Sequence, residues 1–210
     1  AWYLCFNGER HVDQQKDQMK GSYLGPQFSE NQIIKSLKSC NAKFHTYNES
    51  ELIDYLSIAL MKGKAIGWMQ GRMEFGPRAL GARSILADPR SPEMQKQLNL
   101  KVKYRESFRP FAPSILSEHV ADWFDHNDES PYMLIVANIK DSKQKKMTEN
   151  EKSLFGIEKL NVSRSSVPAI THVDYSARIQ TVHKSTNPRY YALINKFYEK
   201  TGCPILVNTS

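Results

Sequence analysis

The sequence predicts an α/β (α+β) domain in which helices flank a mixed β-sheet. Three observations carry that expectation. Capped helical patterns alternate with short apolar runs of strand length, the order of an interleaved fold. The 210 residues are 40% hydrophobic and 24% charged, enough apolar material for one ordinary core. No stretch approaches the roughly 20 apolar residues of a membrane span, and no internal repeat is visible.

Residues 1–22 are polar after a short apolar start and read as a linker or the tail of a preceding domain, with the domain proper over 23–210. Ala1-Trp2-Tyr3-Leu4-Cys5-Phe6 is too short for the apolar core of a signal peptide and has no positive flank. A start in mid-pattern without Met reads as part of a longer polypeptide. Ser29 is placed to cap a helix over 30–40, with Ile33, Ile34 and Leu37 on one face. Asn48, with Glu51 three residues on, resembles a capping box for a second helix bearing Leu52, Tyr55, Leu56, Ala59 and Leu60. Gly63 is its stop. Residues 65–69 and 84–87 are short apolar runs, the pattern of buried strands. Ser91-Pro92-Glu93 supplies a cap and an N1 proline for a helix to about Val102. Strands are expected over 111–116 and 132–139, with a helical turn from Ser117 between them. Residues 140–166, rich in Lys, Ser and Asn, read as a long mobile loop. Residues 169–173 and 178–182 look like a strand pair. Asn187-Pro188 caps a last helix to about Lys200, Gly202 ends it, and 204–208 is an apolar strand.

Charge is unevenly placed. Between Arg72 and Arg109 lie six Arg and three Lys against four acids, so these residues carry +5 of the net +7. Arginine outnumbers lysine there, although lysine leads over the whole chain. Guanidinium groups grip phosphate and carboxylate in planar, bidentate fashion, so the concentration points to anions. The three cysteines (Cys5, Cys40, Cys203) have no metal-ligand or disulfide spacing and read as reduced thiols of a cytoplasmic protein. The histidines show no metal-site spacing either.

Four segments carry chemistry. Gly71-Arg72-Met73-Glu74-Phe75-Gly76-Pro77-Arg78-Ala79-Leu80-Gly81-Ala82-Arg83 is a glycine-punctuated loop from which Arg72, Arg78 and Arg83 converge on one anion, or in which they form surface ion pairs around a turn. It is neither a Walker A loop nor a dinucleotide fingerprint. In Lys103-Tyr104-Arg105 and on to Arg109, an extended backbone held by Pro110 and Pro113 would align the cations beside Phe108 and Phe111. The alternative is an edge strand protected by charge. His172 and Asp174 are spaced to share a face and pair, as a base or as a structural element. Asn208-Thr209-Ser210 stand at the end of an apolar strand, placed for ligand contacts or as the cap of a following helix. No catalytic residue is assigned.

These segments together resemble the C-terminal half of the NodU/CmcH carbamoyltransferase family. The residues that carry the resemblance are 71–90, 103–116, 168–182 and 201–210, with 21–33 as a weaker match, and EFGPRALG followed by FRPFAPS is the most specific part. The resemblance implies a YrdC-like fold, preceded in the polypeptide by an actin-like ATPase-fold domain that holds the acceptor site. It implies that carbamoyl phosphate yields carbamate, which attacks the α-phosphate of ATP to give carbamoyl adenylate. ATP and Mg2+ are the implied cofactors. Lys103 and Arg105 are similar to the Lys-x-Arg element of such domains, Arg109 to a further phosphate ligand, and Ser210 to the start of a Ser-x-Asn element. Arg72 and Arg78 would line the carbamoyl phosphate pocket with Arg178, and Arg83, His172, Asn208 and Thr209 stand nearby in the motifs. Tyr175-Ser176 departs from the expected Gly-Thr-like pair.

The rival readings are a basic RNA-binding module and a domain making threonylcarbamoyl adenylate for tRNA modification. A pI near 9.2 fits RNA. Against it, the cations sit in Gly/Pro-constrained loops beside apolar strands, so nucleic acid and membrane are not expected partners.

Overall fold

The computed structural model describes residues 19–210, together with Cys5, Asn7, Gly8 and Asp17. The expected linker over 1–22 therefore lies largely outside the described residues. Its last residues are packed: Gly21 and Ser22 are buried, and Ser22 Oγ donates to the Phe75 carbonyl at 2.6 Å.

Two capped helices open the fold. Ser29 and Gln32 close a reciprocal capping box on α1 (Glu30–Ser39), and Asn48 and Glu51 close another on α2 (Glu49–Met61). Gly63, at φ 72°, takes the left-handed conformation that ends α2. Strands β1 (Ile66–Met69) and β2 (Arg83–Ala87) flank the glycine-arginine loop. A short helix α3 (Met94–Leu98) runs into a π-helical turn, Asn99–Lys103. Then follow β3 (Ala112–Leu116), α4 (Val120–Trp123), β4 (Ile135–Asn138), α5 (Glu149–Ser153), α6 (Gly156–Leu160), β5 (Ser176–Val182), α7 (Pro188–Thr201) and β6 (Ile205–Thr209).

The six strands form one mixed sheet in the order β1-β2-β6-β3-β5-β4. Only β3 and β5 are parallel, and the sheet is not closed. Helix α7 buries Tyr190, Leu193, Ile194 and Phe197, the i, i+3, i+4, i+7 stripe, against β3, β6 and α2. Ile115, Leu116, Ile179, Ile205, Leu206 and Val207 fill the two faces of the sheet in alternation, all at zero exposure. Each such side chain contributes roughly 1.5–3 kcal/mol.

Four local expectations are corrected. Ser91 does not cap α3: its carbonyl takes the Met94 N–H at 3.2 Å, so the proline turn precedes the helix instead of starting it. The segment 103–109 is bent, because the π turn ends at Tyr104 in a left-handed conformation with φ 50°. The stretch 140–166 is no structureless loop. Thr148 and Glu151 form a capping box for α5, a signal present in the sequence, and Gln144 bridges back to Ser165. Residues 169–173 are not a strand: Pro168 starts a 3-10 turn and Asp174 Oδ1 accepts from both the N–H and Oγ of Ser176, making a corner. Tyr175 in that corner has φ 63°, where a glycine is most at ease.

Candidate functional site

The glycine-arginine loop lies over the β3–β5–β6 face, and side chains hold the backbone of its second half, residues 79–83. The buried carboxylate of Glu74, 4% exposed, accepts through Oε1 from the N–H groups of Leu80 at 2.7 Å and Ala82 at 2.8 Å. Asn208 Nδ2 donates to the Ala79 carbonyl at 3.0 Å and Gln180 Nε2 to that of Leu80 at 2.9 Å. Trp68 Nε1 and Gln70 Nε2 both donate to Gly81 O. Gly81, at φ 98°, is irreplaceable sterically: a Cβ there would lie 2.2 Å from the ring of Tyr190. Such a loop is fixed from below by side-chain amides and from within by one carboxylate.

The loop's fixed position brings Arg78 to the end of the sheet where β6 finishes and β3 begins. Register places Ala112 opposite Asn208 and Ser114 opposite Gln180, so Arg178, two residues before Gln180, faces the same way. Lys103 and Arg105 arrive from the bent segment. A cleft of about 250 Å³ results, lined by Arg78, Lys103, Arg105, Arg178, Thr209 and Ser210 among others. Among the described residues no carboxylate side chain lines it. Burial lowers the pKa of Lys103, Arg105 and Arg178, and neighbouring cations lower each further: Arg105 beside Lys103, Arg109 beside Arg105, and Arg78 beside Arg178. The buried Nε atoms of Arg78 and Arg178 and Oδ1 of Asn208 have no hydrogen-bond partner among the described residues. Among the described residues these converging cations repel one another and only Glu106, beside Arg105, opposes them, an arrangement suited to an anion.

Seven of the sequence-expected residues thus meet: Arg78, Lys103, Arg105, Arg178, Asn208, Thr209 and Ser210. Asn208 is only 1% exposed and spends its amide nitrogen on Ala79 O, Ser114 Oγ and Gln180 Oε1. The others lie elsewhere. Arg72 donates to the Gly25 carbonyl at 3.0 Å and borders a separate hollow with Tyr23, Gln70 and Asn187. Arg83 stands 3.3 Å from Glu74 Oε2 and belongs to the loop's scaffold. Arg109 sits beside Glu106 at 3.7 Å and shares an adjoining cavity with His172. His172 and Asp174 are not hydrogen-bonded to each other; burial lowers the His172 pKa. Since β3 lies between β6 and β5, the cations before it do not guard a sheet edge.

Comparison with known proteins gives the family. The carbamoyltransferase C-terminus family model matches residues 57–210, which include every residue of the cleft. The chain belongs to that family. An uncharacterised protein of Synechocystis sp. is 53% identical over 100% of this chain and 34% of its own length. Nodulation protein NolO of Bradyrhizobium diazoefficiens is 38% identical over 93% of this chain and 33% of its own. The 3'-hydroxymethylcephem-O-carbamoyltransferase of Amycolatopsis lactamdurans is 38% identical over 75% of this chain and 26% of its own. The chain thus spans about a third or less of these curated relatives.

Sequence reasoning missed Glu74, Asn99, Ser114 and Gln180, which hold Arg105 and the loop in place. Glu74 meets backbone N–H groups six to nine residues on, at no regular spacing, and Gln180 meets Leu80 O, Ser114 and Asn208, all distant in sequence.

Proposed function

We propose that the cleft binds the phosphate groups of carbamoyl phosphate and ATP, within a carbamoyltransferase that forms carbamoyl adenylate and passes its carbamoyl group to an acceptor hydroxyl. One observation carries the reading: Arg78, Lys103, Arg105 and Arg178 line a single cleft to which no Asp or Glu among the described residues contributes. The name of the cephem O-carbamoyltransferase supports the group transferred.

In this proposal, water cleaves carbamoyl phosphate to carbamate and phosphate. A carbamate oxygen attacks the α-phosphorus of ATP, and the bond to the β-phosphate oxygen breaks, releasing pyrophosphate. The acceptor hydroxyl then takes the carbamoyl group, loses its proton and frees AMP. Every species in the cleft is anionic, and charge builds on the phosphoryl oxygens as the bonds change. Preorganised cations in a partly desolvated cleft stabilise that charge without rearranging. Among the described residues the cleft lining offers magnesium no carboxylate side chain, so the cleft as described does not fit the metal.

Isothermal calorimetry with carbamoyl phosphate, ATP and a short RNA at several salt concentrations tests the reading. Saturable 1:1 binding of the two small ligands is expected, with a modest salt slope. RNA binding that falls steeply with salt, without binding of either small ligand, would overturn it.

A further inference from the structure

Asn99 is fully buried at the first residue of the π-helical turn. Its side chain uses both ends. Oδ1 accepts from Arg105 Nε at 2.6 Å, while Nδ2 donates to the carbonyls of Ser107 at 3.1 Å and Arg109 at 2.7 Å. Its own carbonyl takes the Arg105 N–H at 3.1 Å and that of Tyr104. One residue therefore gathers five points of the segment 104–109, three through its side-chain amide and two through its carbonyl, and isolated π turns are often found where a site demands such a bend.

The geometry points to Asn99 as the positioning residue that decides which edge of Arg105 faces the bound anion. Arg105 has two edges with which to grip an anion. Asn99 occupies the Nε side, and the ring of Phe111 lies 4.9 Å under the guanidinium carbon, fixing its plane. The two terminal nitrogens carry no hydrogen bond among the described residues, so the paired η edge remains for the ligand. Asn99 lines neither the anion cleft nor the adjoining cavity and acts through Arg105 alone. The role of Ser107 and Arg109 carbonyls is to hold the amide in this orientation: with both N–H groups engaged, only oxygen is left to meet Nε.

This inference rests on the anion-binding reading above, and a double-mutant cycle separates the two. Pyrophosphate binding is measured by calorimetry for the wild type, Asn99→Ala, Arg105→Ala and the double variant, with circular dichroism recording the fold of each. The expected loss is about tenfold for Asn99→Ala, and none beyond that of Arg105→Ala in the double variant. The Nε–H resonance of Arg105 should also exchange faster with solvent in Asn99→Ala, while that of Arg178 is unmoved. Additive losses, or an Arg105 Nε–H that exchanges as in the wild type, would show that Asn99 supports only the general fold and overturn the inference. Absence of wild-type binding would instead overturn the anion reading, and the inference with it. Should Asn99→Ala fail to fold, Asn99→Asp keeps the acceptor and places a carboxylate on Arg105. It should weaken pyrophosphate at least as much as Arg105→Ala does, and wild-type affinity in that variant would equally contradict the role.

Discussion

At the scale of residues, the cleft is defined by cations that outnumber the acids near them. Arg178 is half-buried, its Nε has no partner among the described residues, and Arg78 repels it. Removing it relieves that repulsion yet takes away a charged donor to the ligand. Arg178→Ala should weaken carbamoyl phosphate by about 1.5–3 kcal/mol, roughly 10–150-fold, in a calorimetric titration. Lys103 offers a pH signature. Its pKa lies below the ordinary lysine range because burial disfavours the charged form and Arg105 adds repulsion. A bound anion favours the charged form, so binding takes up a proton wherever free Lys103 has begun to lose its own. Affinity should then fall as pH rises through the lowered pKa, and it should not change below that pKa on this account. Lys103→Arg, which stays protonated, should flatten the alkaline limb relative to the wild type. Titrations of both proteins between neutral and alkaline pH check this, since the ligand's own ionisation is common to the two.

At the scale of elements, the loop 71–83 and the excursion 140–166 are held by different means. The loop depends on one carboxylate and on a close approach of backbone to ring. Gly81→Ala forces a side chain into left-handed φ and against Tyr190, which is itself fully buried. It should lower Tm steeply, by the equivalent of about 3 kcal/mol or more, and thermal denaturation measures it. The excursion depends on Arg164, 6% exposed, whose guanidinium donates to the carbonyls of Lys159, Leu160 and Val162 at the C-terminal end of α6. Arg164→Met leaves these carbonyls without that partner, so amide hydrogen exchange should quicken over 156–164 and stay unchanged in β3 and β6. These elements also show where sequence was readable. Caps written in adjacent residues, such as Ser29 with Gln32, Asn48 with Glu51 and Asn187 before Pro188, were legible because their partners are three residues away. Lys103 and Arg105 were expected together on an extended strand, and they do meet, but through a π turn and a left-handed Tyr104. Asn99, which makes that bend, carries no local pattern. The 140–166 stretch hid its helices because they are about one turn long, and the Thr148–Glu151 cap that opens the first stands in a polar run without apolar periodicity.

At the scale of the molecule, the charge expected over 72–109 is divided. Two of its six arginines, Arg78 and Arg105, reach one end of the sheet with Lys103, while Arg72, Arg83, Arg90 and Arg109 are engaged elsewhere. What no periodicity reveals is the strand order: β6, last in the chain, lies between β2 and β3 and so carries Asn208, Thr209 and Ser210 into the cleft. The arginine of β5 joins them because β5 runs parallel to β3. Since the chain covers about a third or less of the curated relatives described, the acceptor and its transfer remain proposals about the larger protein. The cleft can be tested by itself. A crystal structure of the chain soaked with pyrophosphate would do so most directly. The account predicts phosphate density between Arg78, Lys103, Arg105 and Arg178, with the η edge of Arg105 facing it. Density lodged instead at Arg72 or Arg109, or no density at a concentration that saturates binding in solution, would contradict it.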